Sequence, residues 1–297
     1  MRAPEFDASL TDAALYPQLW RLLLGTALAL TLWLGTSALI IAAAAGVIAA
    51  QQGPFGVMPF LQGLATPATP GTVILLLSTF AGLFVGALTA AAALHFRGPG
   101  SLLGPARDWR RGFLVALAVI LPIYGALTAV TILFGEVTPN LAPARWALLL
   151  PLALPFLFLQ IAAEELFFRG YLQQQLAVRF ASRWVWMVLP SAVFALLHVN
   201  PEAGPNLPLV LLATFTFALI AADLTERTGN LGAAMGLHLG NNFFGVFLVA
   251  QAETITGLAL YVAPGDIGTA GVTSLSLAGS TVILLVVWAI TVALLDR

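Results

Sequence analysis

Eight apolar stretches, at roughly 20–50, 72–96, 112–134, 146–176, 184–199, 206–223, 231–250 and 275–295, constrain this chain more than any other feature. About 20 consecutive apolar residues cross the hydrocarbon core of a bilayer as a helix. In that medium only helices and closed barrels satisfy their own backbone polar groups. With 60% of its 297 residues hydrophobic and 8% charged, the chain is expected to be all-α, a polytopic membrane bundle of about eight transmembrane helices. Gly98, Pro99 and Gly100, the run from Pro201 to Pro208, and Pro264 with Gly265 fall at the breaks. Trp20, Trp109, Trp146 and Trp184 lie near segment ends, where interfacial aromatics are expected. Residues 1–19 are polar and mildly acidic, and the apolar run after them is far too long for a signal peptide. They are expected to form a cytoplasmic N-terminal segment, with the bundle over 20–297.

All twelve basic residues are arginine, and most fall on one side of this topology. Arg97, Arg107, Arg110 and Arg111 follow the second stretch, Arg179 and Arg183 the fourth, and Arg227 the sixth; Arg2 and Arg297 lie near the termini. Arg145 falls on the other side and Arg169 is internal. By the positive-inside rule both termini are expected in the cytoplasm. The Ala-, Leu-, Gly- and Arg-rich composition suggests a prokaryotic cytoplasmic membrane. A net charge of −1 with no basic stripe gives no basis for nucleic-acid binding, and the absence of cysteine rules out disulfides and thiolate chemistry. The outer connection at 251–274, with Gly257, Gly265, Gly268 and Gly271, has two readings: an exposed loop, or a segment that dips back over a cavity.

Against this background Glu164, Glu165 and Arg169 stand out, because charges at membrane depth are costly and mark functional sites. Glu165 and Arg169 are four residues apart and can pair on one helix face, while Glu164 points elsewhere. Glu164 stands as far before residue 181, the expected turn of a helical hairpin, as His198 stands after it. Equal rise places the two at similar depth, about 25 Å above that turn. Phe194, one turn before His198, shares its face. His238 and Asn242 again share a face, with His238 about 10 Å from the inner end of its own helix. Convergence of the two depths requires tilt, or a fourth helix that projects beyond the bilayer.

One carboxylate, two imidazoles and a carboxamide suit the activation of water. Glu164 in an apolar site can serve as general base, His198 can help hold the water, and His238 and Asn242 can stabilise an oxyanion. Two arrangements fit: a water bound to a divalent metal such as zinc, held by Glu164, His198 and His238, or a water held by side chains with no cofactor.

Taken together, Glu164-Glu165-x-x-x-Arg169, Phe194-x-x-x-His198 and His238-x-x-x-Asn242 resemble the motifs of the CPBP family of intramembrane proteases. That family includes type II CAAX prenyl endopeptidases and proteins linked to bacteriocin self-immunity. The resemblance covers about 145–250 and implies an eight-helix bundle that hydrolyses a peptide bond in a membrane-associated or lipidated substrate. It also implies that Glu164, aided by His198, activates water and that His238 and Asn242 complete the site. Glu165, Arg169 and Phe194 would support it.

Blander readings stand beside this one. Glu164, Glu165 and Arg169 can be a buried ion pair that fixes helix packing, and Asn242 can be interhelical glue, with Asn241 a near-equal candidate. His95 reads as interfacial, and Asp223, Glu226 and Arg227 as a solvated helix end. A proton-coupled transporter using Glu164, His198 and His238 as a relay is one alternative function. A non-catalytic membrane scaffold or immunity protein is another. Partners are expected to be membrane lipids and a membrane-associated or lipidated peptide.

Overall fold

The computed structural model of the protein describes residues 2–266, 268 and 272–296; Gly271 and Arg297 lie outside the described residues. All eight apolar stretches are helical: α1 (Leu19–Gln52), α2 (Pro70–His95), α3 (Ala106–Phe134), α4 (Pro143–Ala177), α5 (Trp184–Leu196), α6 (Leu207–Thr228), α7 (Gly232–Phe243, continued over Phe244–Leu248) and α8 (Val272–Leu295). The all-α polytopic expectation holds, and fewer than eight of the helices have the full length of a span. Among the described residues, six helices are long and apolar enough to cross a bilayer. The fifth and seventh stretches fold as the short helices α5 and α7. Both are too short at about 1.5 Å per residue to cover a core about 30 Å thick.

Close helix approach is achieved through glycine. On α7, Gly232, Gly236 and Gly240 repeat every fourth residue and so share one face. A Cβ at Gly232 would sit 1.9 Å from the Trp109 carbonyl oxygen of α3, and one at Gly236 2.5 Å from that of Phe113. Gly82 and Gly86 of α2 meet the α1 backbone in the same way, at 2.7 Å from the Leu32 and Ala29 oxygens. Lipid tails are as apolar as leucine, so membrane helices associate through such small-residue contacts. Elsewhere α1 and α4 carry bulky exposed side chains such as Leu34, Leu39 and Leu148, as a lipid-facing surface does.

The arginine-bearing connections gather at one end of the bundle. Arg2 donates to the Ala177 carbonyl, Arg179 to that of Gln18, and Arg97 to Gln174, while Arg183 pairs with Glu226. A short helix, Pro4–Ser9, seals this end by burying Phe6 against Trp186 at a ring distance of 5.4 Å. Two of the blander readings are corrected here. Glu226 is 2% exposed rather than solvated. His95 is buried rather than interfacial, held by the Tyr171 hydroxyl at 3.1 Å and the Tyr16 carbonyl at 3.2 Å.

At the other end, β1 (Thr138–Pro139), β3 (Tyr261–Asp266) and β2 (Val249–Ala252) form a small sheet in that order, β1–β3 antiparallel and β2–β3 parallel. The described part of the outer connection is packed: Leu258 and Ala259 are buried, and Ile255 lines a cavity inside the bundle.

Gly232→Ala is expected to destabilise the protein by about 1–3 kcal/mol, because backbone must move to admit the methyl group. Gly46→Ala, where a Cβ meets nothing, is expected to be neutral. Thermal unfolding of the two variants in detergent compares them directly.

Candidate active site

The site is built on α4. From Leu166 to Gln173 its backbone widens into π-helical turns, a distortion that recurs at functional sites. Glu164 and Glu165 end the regular part, and their two carboxylates meet different fates.

Glu165 is fully buried. It accepts from Arg169 Nη1 at 3.0 Å, the expected pairing across one turn, and from His238 Nδ1 at 2.8 Å. Arg169 also donates to the Ala218 carbonyl at 3.1 Å and lies over the Phe194 ring at 4.8 Å. One ion pair thus ties α4 to α6 and α7 and touches α5. Glu165 and Arg169 form a buried ion pair and line neither cavity described below.

Glu164 is left out of that pair. Its Oε2 forms no hydrogen bond and stands 3.6 Å from His238 Nε2. The carboxylate faces a cavity of about 470 Å³ between α1, α2, α4, α5 and α7. Its walls are mostly apolar, from Trp33, Phe80 and Leu83 to Phe167 and Ile255, with Gln160, Glu164, His198 and Asn242 as the polar groups.

His238 is 3% exposed and enclosed by aromatic rings, Phe217 at 4.6 Å and Phe194 at 6.3 Å. The depth mismatch inferred from the sequence is resolved by α4 overhanging the bundle. A Cβ at Gly170 would lie 3.3 Å from the Leu231 side chain, so α7 begins beside Gly170 rather than beside the end of α4. From that level Glu165 and His238 lie back along their helices by roughly 8 and 10 Å.

His198 holds its ring through Nδ1–H donated to the Phe194 carbonyl at 2.8 Å, with the Phe194 ring 4.6 Å away. A carbonyl only accepts, so in neutral His198 the Nε2 lone pair is free. His198 is exposed and lines the cavity with Glu164, but it makes no ion pair with either glutamate; the imidazole that reaches Glu164 is His238.

Asn242 donates Nδ2–H to Gln160 Oε1 at 3.3 Å and accepts from Asn241 Nδ2 at 3.1 Å, and Asn241 accepts from the Tyr124 hydroxyl at 3.3 Å. Both asparagines therefore belong to one polar chain. Gln160 and Tyr124 were missed from the sequence. Gln160 carried a usable signal, a carboxamide one turn before Glu164 in an apolar run; Tyr124 carried none beyond its polar hydroxyl. Phe194, His198 and Asn242 also line a second cavity of about 260 Å³ on the side of α6 and α8.

Of the possible metal-ligand set Glu164, His198 and His238, Glu164 and His238 stand within ion-pair distance of each other, at 3.6 Å. Among the described residues, no three His, Cys, Asp or Glu side chains are grouped to hold a metal ion. His238 Nδ1 is engaged by Glu165 and His198 Nδ1 by a carbonyl, which leaves Nε2 as the open nitrogen of each ring.

Arg169→Met is expected to cost about 3–5 kcal/mol by stranding a buried carboxylate. Glu164→Gln is expected to melt close to the parent, because the amide keeps the side chain's shape and Glu164 meets His238 only at 3.6 Å, without a hydrogen bond. Thermal unfolding in detergent checks both.

Residues 145–244 match the sequence model of the family described as Rce1-like, type II CAAX prenyl endopeptidase Rce1-like. An uncharacterized protein of Bacillus subtilis (strain 168), YyaK, is 29% identical over 115 residues. That match covers 38% of this chain and 38% of YyaK, so well under half the relative's length is shared. No solved structure matches the chain.

Proposed function

We propose that this chain, an integral membrane protein whose residues 145–244 form an Rce1-like domain, is an intramembrane endopeptidase that uses Glu164 to activate water. The observation that carries the reading is the contrast between two adjacent carboxylates. Glu165 is neutralised by Arg169, while Glu164 lines an apolar cavity and has no hydrogen bond at Oε2, which stands 3.6 Å from His238 Nε2. A carboxylate that only held helices together would be paired.

In the proposed reaction Glu164 removes a proton from a water, and the hydroxide attacks the scissile carbonyl carbon. His198, with its Nε2 lone pair, accepts a hydrogen bond from that water. The carbonyl oxygen becomes an oxyanion, for which Asn242 Nδ2–H, and His238 Nε2 when it carries a proton, are the donors. Glu164 then gives its proton to the leaving amine nitrogen as the C–N bond breaks. Glu165, through His238 Nδ1, fixes the ring so that Nε2 faces Glu164. The steps use the side chains alone. The cavity's apolar walls suit a membrane-associated or lipid-modified peptide, and the arginine-bearing end would face the cytoplasm of a prokaryotic cell.

Glu164→Gln is expected to lower kcat by about 10²–10⁴, the range for loss of a general base, while the fold survives. Cleavage of a quenched-fluorescent peptide library by purified protein in detergent measures this, and undiminished hydrolysis by the variant would sink the proposal. Treatment with a metal chelator is expected to leave wild-type cleavage unchanged.

A further inference from the structure

The smaller cavity shares His198, His238 and Asn242 with the steps above, but the rest of its walls differ from those of the larger one. Tyr124 of α3, Thr214 of α6, Ser280 and Thr281 of α8 and Asn241 of α7 face it, with His238 alongside. A chain so poor in polar residues has gathered hydroxyls and carboxamides from four helices at one place. Each hydroxyl has already committed its proton. Thr214 donates to the Val210 carbonyl at 2.8 Å, Ser280 and Thr281 to that of Leu277 at 2.9 Å, and Tyr124 to Asn241 at 3.3 Å. The oxygen lone pairs that remain are acceptors, and a small molecule with two donor hydrogens fits such a lining. At about 30 Å³ per water, a cavity of about 260 Å³ has room for several.

A second observation concerns supply. Hydrolysis consumes one water per bond cut. A peptide or lipid chain that fills the apolar cavity expels water from it and closes that approach to Glu164. Phe194, His198 and Asn242 line both cavities, so the smaller one meets the reacting groups from the other side.

We propose that the smaller cavity is a water store that supplies the nucleophile while substrate occupies the larger cavity. This rests on the endopeptidase reading. In each turnover the oxygen of one stored water enters the new carboxyl group, one of its protons reaches the leaving amine through Glu164, and a further water takes its place.

The absence of cysteine gives a clean test. Thr281→Cys and Ser280→Cys each place a single thiol at the cavity. Val282→Cys places one on the neighbouring position, which is 60% exposed and does not line the cavity. A charged, water-soluble methanethiosulfonate reagent reacts with thiolate, which forms where water reaches. In proteoliposomes Thr281→Cys is expected to react about tenfold faster than Val282→Cys. Labelling Thr281→Cys is then expected to lower its kcat about tenfold with KM unchanged, against the same variant unlabelled. Equal labelling rates for all three variants would overturn the store. Fast labelling at residue 281 or 280 with no change in kcat would overturn its role in supply. Labelling needs no activity, so a failure of the endopeptidase reading shows separately, as absence of cleavage by the wild type, and removes the supply role with it.

Discussion

Burying the Glu165 carboxylate sets the terms for the rest of the site. A charge removed from water costs several kcal/mol even after the protein relaxes, and only well-placed partners offset it. Here the partners come from Arg169 one turn along α4 and from His238 on α7, while Arg169 also holds a carbonyl of α6. Any shift of α4 against α7 would strand the carboxylate. The pair thus acts less as a source of stability than as a register pin. It fixes the depth and rotation at which His238 meets α4, and it leaves Glu164, the next residue, without a structural duty.

That pin works because the helices can come close enough to share it. The glycine face of α7 lets its backbone touch that of α3, and α7 is short enough to start partway along α4. Bulk on either face would tilt α7 and carry His238 and Asn242 with it. The polar chain from Tyr124 through Asn241 and Asn242 to Gln160 then orients the carboxamide by hydrogen bonds. Oxyanion stabilisation depends on such preorganised donors, since they need not reorient as charge develops. The result is a polar partition, with an apolar cavity on the Glu164 side and a hydroxyl-lined one on the side of α6 and α8.

Much of this was legible in one dimension. Bilayer-length apolar runs announced a helical membrane bundle, because lipid leaves the backbone no other open-chain solution. Glu164, Glu165, Arg169, His198, His238 and Asn242 stood out because polar groups at membrane depth are rare. The four-residue spacing of Glu165 and Arg169 gave their contact outright, since helical geometry alone brings such neighbours together.

Tertiary structure decided the rest. Residue counts placed Glu164 and His238 at different depths, and only the overhang of α4 past the start of α7 closed that gap. The sequence paired Glu164 with His198 by equal distance from a turn, but the fold gave Glu164 the ring of His238 instead. Eight apolar stretches became six long helices and two short ones, because hydropathy records an apolar environment and not whether that environment is lipid or protein. Gln160, Tyr124 and the second cavity draw on side chains from helices far apart in the chain, and no local pattern encodes their meeting. Spacing within one helix is fixed by covalent geometry and is readable, whereas contact between helices is fixed by packing, which exists only once the bundle has formed.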